Sequence, residues 1–283
     1  MAAIALALGS SVLWGMADFL GGLRSRSFPV PVVLAGMYVS SLTVLAIFVA
    51  ARGEGPPGAT AVAAGLSAGM FGIVALMAFY RALAIGTMSI VAPVASTGVA
   101  LPVIVGLLTG DDPGPVRAIG LVAAIVGVVL ASREADGAGV DARLQRQSIA
   151  LAIAAGLGFG LYFVLAEIAS RDDVAWALVL SRTAATPFVV AFAVLALRRG
   201  GRRPGGRVLL ALAGIGMLDL GANVLYNVST TVGELSTVAV ASSLYPVTTV
   251  LLAALLLGER VRGVQRVGVI VALCGVVLIS GGT

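Results

Sequence analysis

Ten apolar stretches, each about long enough to cross a lipid bilayer, follow one another along this sequence with only short breaks between them. They fall near 2–22, 29–51, 59–84, 88–109, 115–132, 148–169, 174–197, 207–230, 235–257 and 263–281, bounded by Gly, Pro and charged residues. A bilayer core takes roughly 20 apolar residues per helical crossing. Lipid leaves a spanning chain only helices or closed barrels, because every backbone polar group must be satisfied internally. Runs of this length specify helices. Composition excludes a soluble alternative: 59% of residues are hydrophobic and 11% charged, with mean hydropathy +1.09, against about 25% charged in an ordinary soluble domain. Most of the surface has to face lipid. The first run lacks the basic stretch of a secretory signal and is expected to stay as the first helix.

The longest polar break, READGAGVDARLQRQ at 133–147, leaves five stretches on either side. The halves resemble each other. GTMSIVAPVASTGVALPVIVGLLTGDD (86–112) and GELSTVAVASSLYPVTTVLLAALLLGE (233–259) match at seven of 27 positions with an offset of 147, pairing Gly86 with Gly233, Ser89 with Ser236 and Ser96 with Ser243. IGLVAAIVGVVLAS (119–132) resembles VGVIVALCGVVLIS (267–280) at an offset of 148, and Ala17–Asp18 falls near Ala166–Glu167 at 149. Five is odd, so the second half enters the membrane inverted. The expected fold is an all-α membrane protein of ten transmembrane helices, two five-helix inverted-topology repeats around a central cavity, with the first repeat at 1–132, a polar linker at 133–147 and the second repeat at 148–283. Many secondary transporters are built this way, with a midplane site that opens to each side in turn. The plainer alternative is a duplicated helix bundle, since small-residue patterns recur in apolar helices.

Arginine sets the expected orientation. The breaks after spans 1, 3, 5, 7 and 9 carry 14 arginines and the opposite ones three, Arg52, Arg117 and Arg171, with Arg182 inside span 7 left aside. The positive-inside rule then places both termini outside the cytoplasm of an inner membrane. All 18 basic residues are arginine and there is no histidine. Histidine metal ligands, a Ser-His or Cys-His nucleophile and a Schiff-base lysine are thereby excluded, and no GxxxxGK loop holds a nucleotide. No cofactor or metal is expected. The net charge of +5 is not a nucleic-acid signal, because no basic helix forms. The lone Cys274 lies in an apolar run as a small hydrophobe.

WGMADF in span 1, YRALAIG at 80–86, SIVAPVASTGVALPV at 89–103 and SSLYPVTTVLLAALLLGE at 242–259 resemble, in this order, the EamA-like branch of the drug/metabolite transporter superfamily. The resemblance implies a basket of ten helices with spans 5 and 10 at the periphery and the others around a cavity. It also implies a carrier of amino acids, nucleobases, sugar nucleotides, amines or drugs, working by exchange or proton coupling. The first half departs from the pattern at GDD (110–112), where GE is common, so Asp112 and Glu259 need not share a role.

Ionisable groups within lipid-spanning helices are costly and mark candidate sites. Asp219, Asn223, Tyr226 and Asn227 recur at i, i+4, i+7 and i+8 of span 8, one polar face that lines a wet cavity or bonds to another helix. Ser10, Trp14 and Asp18 share a face of span 1. Trp14 either stacks on a flat or cationic ligand or fills a helix contact, and Asp18 is a site carboxylate or a helix-end group. Glu167 is read in the same two ways. Arg182 resembles the arginine often found in this helix of the family; it binds a substrate anion or neutralises Asp219 or Glu167. Tyr245 beside Pro246 is a gate or a packing aromatic. Pro93, Pro102 and Pro246 kink or break spans 4 and 9. Tyr80 and Arg81 read as interfacial belt and snorkelling residues. With no histidine, protons as coupling ions would run through Asp18, Glu167 or Asp219.

The reading is a secondary active transporter, exporting rather than importing a small polar metabolite such as an amino acid or amine by alternating access. An uncoupled exchanger or facilitator of metabolites or drugs is the alternative. A membrane-embedded enzyme is remote: its only acidic doublets are at 111–112 and 172–173, both at helix ends. One chain carries both repeats, so a monomer suffices and an oligomer is compatible; the other partners are the small-molecule substrate and the bilayer.

Overall fold

The computed structural model describes residues 2–99, 101, 114–131, 142–232, 242, 244–259 and 263–281. Among these residues there is no strand and there are ten α-helices: α1 (Ala2–Ser25), α2 (Val30–Arg52), α3 (Ala59–Ile85), α4 (Met88–Ser96, followed by a 3-10 turn at Thr97–Val99), α5 (Gly114–Ala131), α6 (Ala142–Ser170), α7 (Val174–Arg198), α8 (Gly206–Val232), α9 (Tyr245–Leu257) and α10 (Gly263–Gly281). Six of them, α1, α2, α3, α6, α7 and α8, are long and apolar enough to cross a membrane. The chain is a multi-pass membrane protein.

The remaining helices are shorter in their described parts. Pro93 sits inside α4, which tightens to the 3-10 turn within four residues, and Pro246 opens α9 rather than kinking it. Proline lacks the N–H that a helix interior needs but is well placed in a first turn. Pro102, the GDD at 110–112, and Gly233, Ser236 and Ser243 lie outside the described residues. So does most of the expected linker, residues 133–141. Its last six residues, ARLQRQ, belong to α6, which begins at Ala142; Ala, Arg, Leu and Gln are good helix formers, and polarity alone did not make them a loop.

Glycine lets helices touch backbone to backbone. A Cβ at Gly127 of α5 would collide with the Ala272 nitrogen of α10, and a Cβ at Gly275 of α10 with the Ala124 nitrogen of α5. Further in, Gly69 of α3 lies against the Ser181 backbone of α7, and Gly216 of α8 against the Met37 backbone of α2. Membrane helices associate through such close van der Waals contact, because lipid tails offer no hydrophobic drive between them. The other main pairings are α3 on α6, α1 on α8, α2 on α7, α1 on α9 and α4 on α6.

α2 and α7 run antiparallel and define two ends of the molecule about 35 Å apart, the rise of a 23-residue helix. At one end Arg52 pairs with Asp173 through two hydrogen bonds of 3.2 and 2.8 Å, and Arg52 also meets Glu54. Asp173 caps α7 by accepting from the Trp176 N–H at 2.8 Å. At the other end Arg202 lies over the Phe28 ring, 4.9 Å from its centroid.

Two outcomes follow from this packing. Gly127→Leu overpacks a contact that has no slack, a change that costs about 1–3 kcal/mol, so its melting temperature in detergent falls while a leucine at the lipid-facing Ile125 leaves it unchanged. The Arg52 guanidinium, and with it the Trp176 N–H, holds the Asp173 carboxyl below its ordinary value of 3.8. A depressed folded value means the contribution is present above the ordinary value and lost as pH falls through the folded one. Thermal stability measured on descent below about pH 4 is therefore expected to drop more steeply in the wild type than in Asp173→Asn.

Candidate functional site

α1 is the helix that positions the site, and hydroxyls on its neighbours hold it. Ser10 Oγ donates to the Ala222 carbonyl of α8 at 2.9 Å, Tyr80 Oη donates to Ala17 at 3.2 Å from α3, and Thr249 Oγ1 donates to Gly15 at 3.2 Å from α9. Tyr80 is thus no belt residue. Its ring fits against Gly21, where a Cβ would overlap it, and it is 1% exposed; the missing side chain on α1 is what draws the tyrosine inward.

Between α1, α2, α3, α6, α7, α8 and α9 lies a cavity of about 80 Å³. Trp14 and Asp18 line it from α1, Tyr38 from α2, Tyr162 and Phe163 from α6, Ser181 and Arg182 from α7. Asp219 and Asn223 of α8 and Tyr245 of α9 complete it. A wider vestibule of about 270 Å³ shares Tyr162, Phe163, Ser181 and Asn223 with the cavity and reaches Ser170 and Arg171, at the end of the molecule that carries Arg52 and Asp173. Tyr226 and Asn227 line this vestibule. Together the two spaces reach the size that holds a small ligand.

The structure therefore brings Trp14, Asp18, Arg182, Asp219, Asn223 and Tyr245 to one cavity, with Tyr226 and Asn227 beside it. The side chain of Glu167 lies outside the described residues. Tyr38, Tyr162 and Phe163 were not singled out from the sequence. A tyrosine near the middle of an apolar span was the available signal for the first two.

The charged groups are not equivalent. Arg182, 6% exposed, forms an ion pair with Asp219, and its guanidinium lies over the Tyr38 ring with Cζ 4.2 Å from the centroid. α2, α7 and α8 are tied together at that point. The amides of the α8 stripe bond down their own helix, Asn223 Nδ2 to the Asp219 carbonyl and Asn227 Nδ2 to the Asn223 carbonyl, both at 2.7 Å; Tyr162 Oη donates to Asn223 Oδ1 at 3.3 Å. Asp18 differs. It is 8% exposed, lines the cavity, and accepts no hydrogen bond and forms no ion pair among the described residues. Trp14, one turn away, meets Tyr226, Phe163 and Tyr245 with ring centroids 5.6, 6.5 and 6.4 Å apart.

At the end of the molecule opposite the vestibule, contacts converge on Glu259. α9 stops at Gly258, whose φ of 65° is left-handed backbone that glycine adopts without strain. Glu259 follows and reaches α4, where its Oε2 accepts from the Ser89 N–H at 3.1 Å and from Ser89 Oγ at 3.2 Å. Thr87, the residue in the cap position of α4, gives no side-chain cap; the carboxylate of another helix takes its place and faces the positive end of the helix dipole. Glu259 Oε1 pairs with Arg26 at 3.1 Å, and Arg26 also donates to the Gly86 carbonyl at 3.5 Å. The GE step thus has a physical content: glycine ends the helix, and glutamate fastens the α1–α2 turn, the start of α4 and the end of α9 to one another.

Opposite responses are expected from the two cavity carboxylates. Removing one partner of a buried ion pair leaves the other uncompensated and costs about 3–5 kcal/mol. Asp219→Asn should lower the melting temperature markedly, and Asp18→Asn should hold or raise it, as read by thermal unfolding of the purified proteins.

A solved structure described only as "Crystal structure of protein" matches 98% of this chain and 96% of its own at a TM-score of 0.63 and 17% identity, a likeness of fold. No curated protein matches the chain. The model of the EamA-like transporter family matches residues 1–133 and 146–281. The chain belongs to the EamA-like transporter family.

Proposed function

We propose that this protein is a secondary transporter that carries a small polar metabolite, such as an amino acid or amine, by alternating access between two inverted five-helix repeats. The observation that carries the reading is a cavity of aromatic walls and three charged groups, lined by helices of both halves, with a vestibule at one end and the Glu259 contacts at the other. A carrier caught in one of two access states has this form.

The repeat is supported by contacts that recur under the sequence offset. Gly127 against Ala272 becomes Gly275 against Ala124 when 148 is added and the halves are exchanged. Gly69 and Gly216, 147 apart, each meet the backbone of a helix from the other half. The pairings α3 on α6 and α8 on α1 exchange in the same way. The family model also matches once in each half.

Orientation follows from arginine: Arg24, Arg26, Arg198, Arg199, Arg202 and Arg203 lie at the Glu259 end, which the positive-inside rule assigns to the cytoplasm. The vestibule then opens to the other side of an inner membrane. Of the two described cavity carboxylates, Asp18 is the one available to a coupling proton, since Asp219 is held by Arg182.

The reading is tested by counterflow in proteoliposomes preloaded with a metabolite pool and given labelled amino acids, amines, nucleobases and sugar nucleotides in parallel. Uptake of one class that Asp18→Asn abolishes is the expected result, and no uptake of any class overturns it. Asp18→Asn is the informative control because Asp219→Asn disturbs folding as well. At the end opposite the vestibule, Glu259→Ala removes the cap on α4. Loss of a cap costs about 0.5–2 kcal/mol, so amide exchange at Ser89 and Ile90 should quicken several-fold, while exchange at the Arg52–Asp173 end stays as it was.

A further inference from the structure

The formal charges lining the cavity do not cancel. Asp18 and Asp219 are carboxylates and Arg182 is the single cation among the described lining residues. Arg182 is committed on both faces of its chemistry. Its fork meets the Asp219 carboxylate and its plane covers Tyr38. A substrate carboxylate would have to break a buried ion pair to reach it, leaving Asp219 uncompensated. Among the described residues Asp18, 8% exposed, has no such partner. A buried carboxylate with nothing to meet it is costly, and it persists where a ligand completes it.

The walls beside Asp18 are aromatic. Trp14 lies one helical turn away, Tyr245 stands edge-on to it with planes 71° apart, and Phe163 and Tyr226 continue the wall toward the vestibule. Ring faces attract a cation, most strongly when water is excluded, and shield apolar substituents. A carboxylate next to such a corner pairs with an ammonium while the rings take the carbon attached to it. Among the described lining residues no free cation offers the same to an anion.

Resting on the transporter reading, we infer that the cavity selects a monovalent organic cation, an amine with an apolar or aromatic body, whose ammonium pairs with Asp18 and whose body lies along Trp14 and Tyr245. This narrows the amino-acid-or-amine class. A zwitterion would bring a second charge to a cavity whose one guanidinium is already engaged.

The test is equilibrium binding in detergent with probes that share a ring and differ in charge: 2-phenylethylamine, phenylalanine and phenylacetate. Trp14 serves as the reporter in a Trp176→Phe background. Trp176 is the only other tryptophan, and its buried Nε1 makes no hydrogen bond that phenylalanine would lose. The expected result is quenching by 2-phenylethylamine at least tenfold tighter than by either other probe, lost at least tenfold in Asp18→Asn and recovered in Asp18→Glu. A retained melting transition in Asp18→Asn shows that the loss is one of binding. Phenylalanine or phenylacetate binding as tightly as the amine, amine binding unchanged in Asp18→Asn, or no binding by any of the three overturns the inference. Counterflow reads the transporter reading separately: selectivity for charge falls without flux falling if only the substrate class is wrong.

Discussion

A guanidinium buried among lipid-spanning helices has to be neutralised, and the arrangement of the site follows from how Arg182 meets that demand. Asp219 supplies the countercharge and Tyr38 a ring face, so three helices, α2, α7 and α8, are fixed to one another at the depth of the cavity. This leaves Asp18, on a fourth helix, outside the pair. Had Arg182 lain between the two acids, neither carboxylate would face the cavity without a cation beside it. Because it is committed to one, the other is left lining the cavity outside the pair.

Around that core the bundle uses two kinds of contact. Small residues allow backbones to touch, as at Gly127 and Gly275, and hydroxyls on one helix bond to carbonyls on another, as Ser10, Tyr80 and Thr249 do around α1. Neither kind depends on burial of apolar surface, which gives little between helices already solvated by hydrocarbon. Charge is reserved for the ends. Arg52 with Asp173 and Arg26 with Glu259 sit where water can reach them and where they are cheap to make and break.

Much of this was legible in the sequence for reasons that are local. The spacing of Asp219, Asn223, Tyr226 and Asn227 fixes them on one helical face, and Trp14 and Asp18 share a face whatever surrounds them. What could not be read was the partner across the bundle. Arg182 had Asp219, Glu167 and a substrate as candidates, and only packing chooses. Tyr38, Tyr162 and Phe163 escaped notice because an aromatic side chain in an apolar run fits lipid, core and cavity equally well. Tyr80 was misjudged because the glycine that receives it, Gly21, lies 59 positions earlier in the chain. Polarity misplaced the boundary at 142–147, where helix propensity prevailed.

The pairing of α5 with α10 has a consequence for motion. Under a two-fold exchange of the proposed repeats, most contacts change places: what α3 makes with α6 becomes what α8 makes with α1. The contact of α5 with α10 is carried onto itself, and so is that of α2 with α7. An interface that is its own image looks the same before and after the exchange. Its partners need not change, so under the proposed exchange the glycines that join α5 to α10 would stay in contact, as an axle does while the parts around it trade positions.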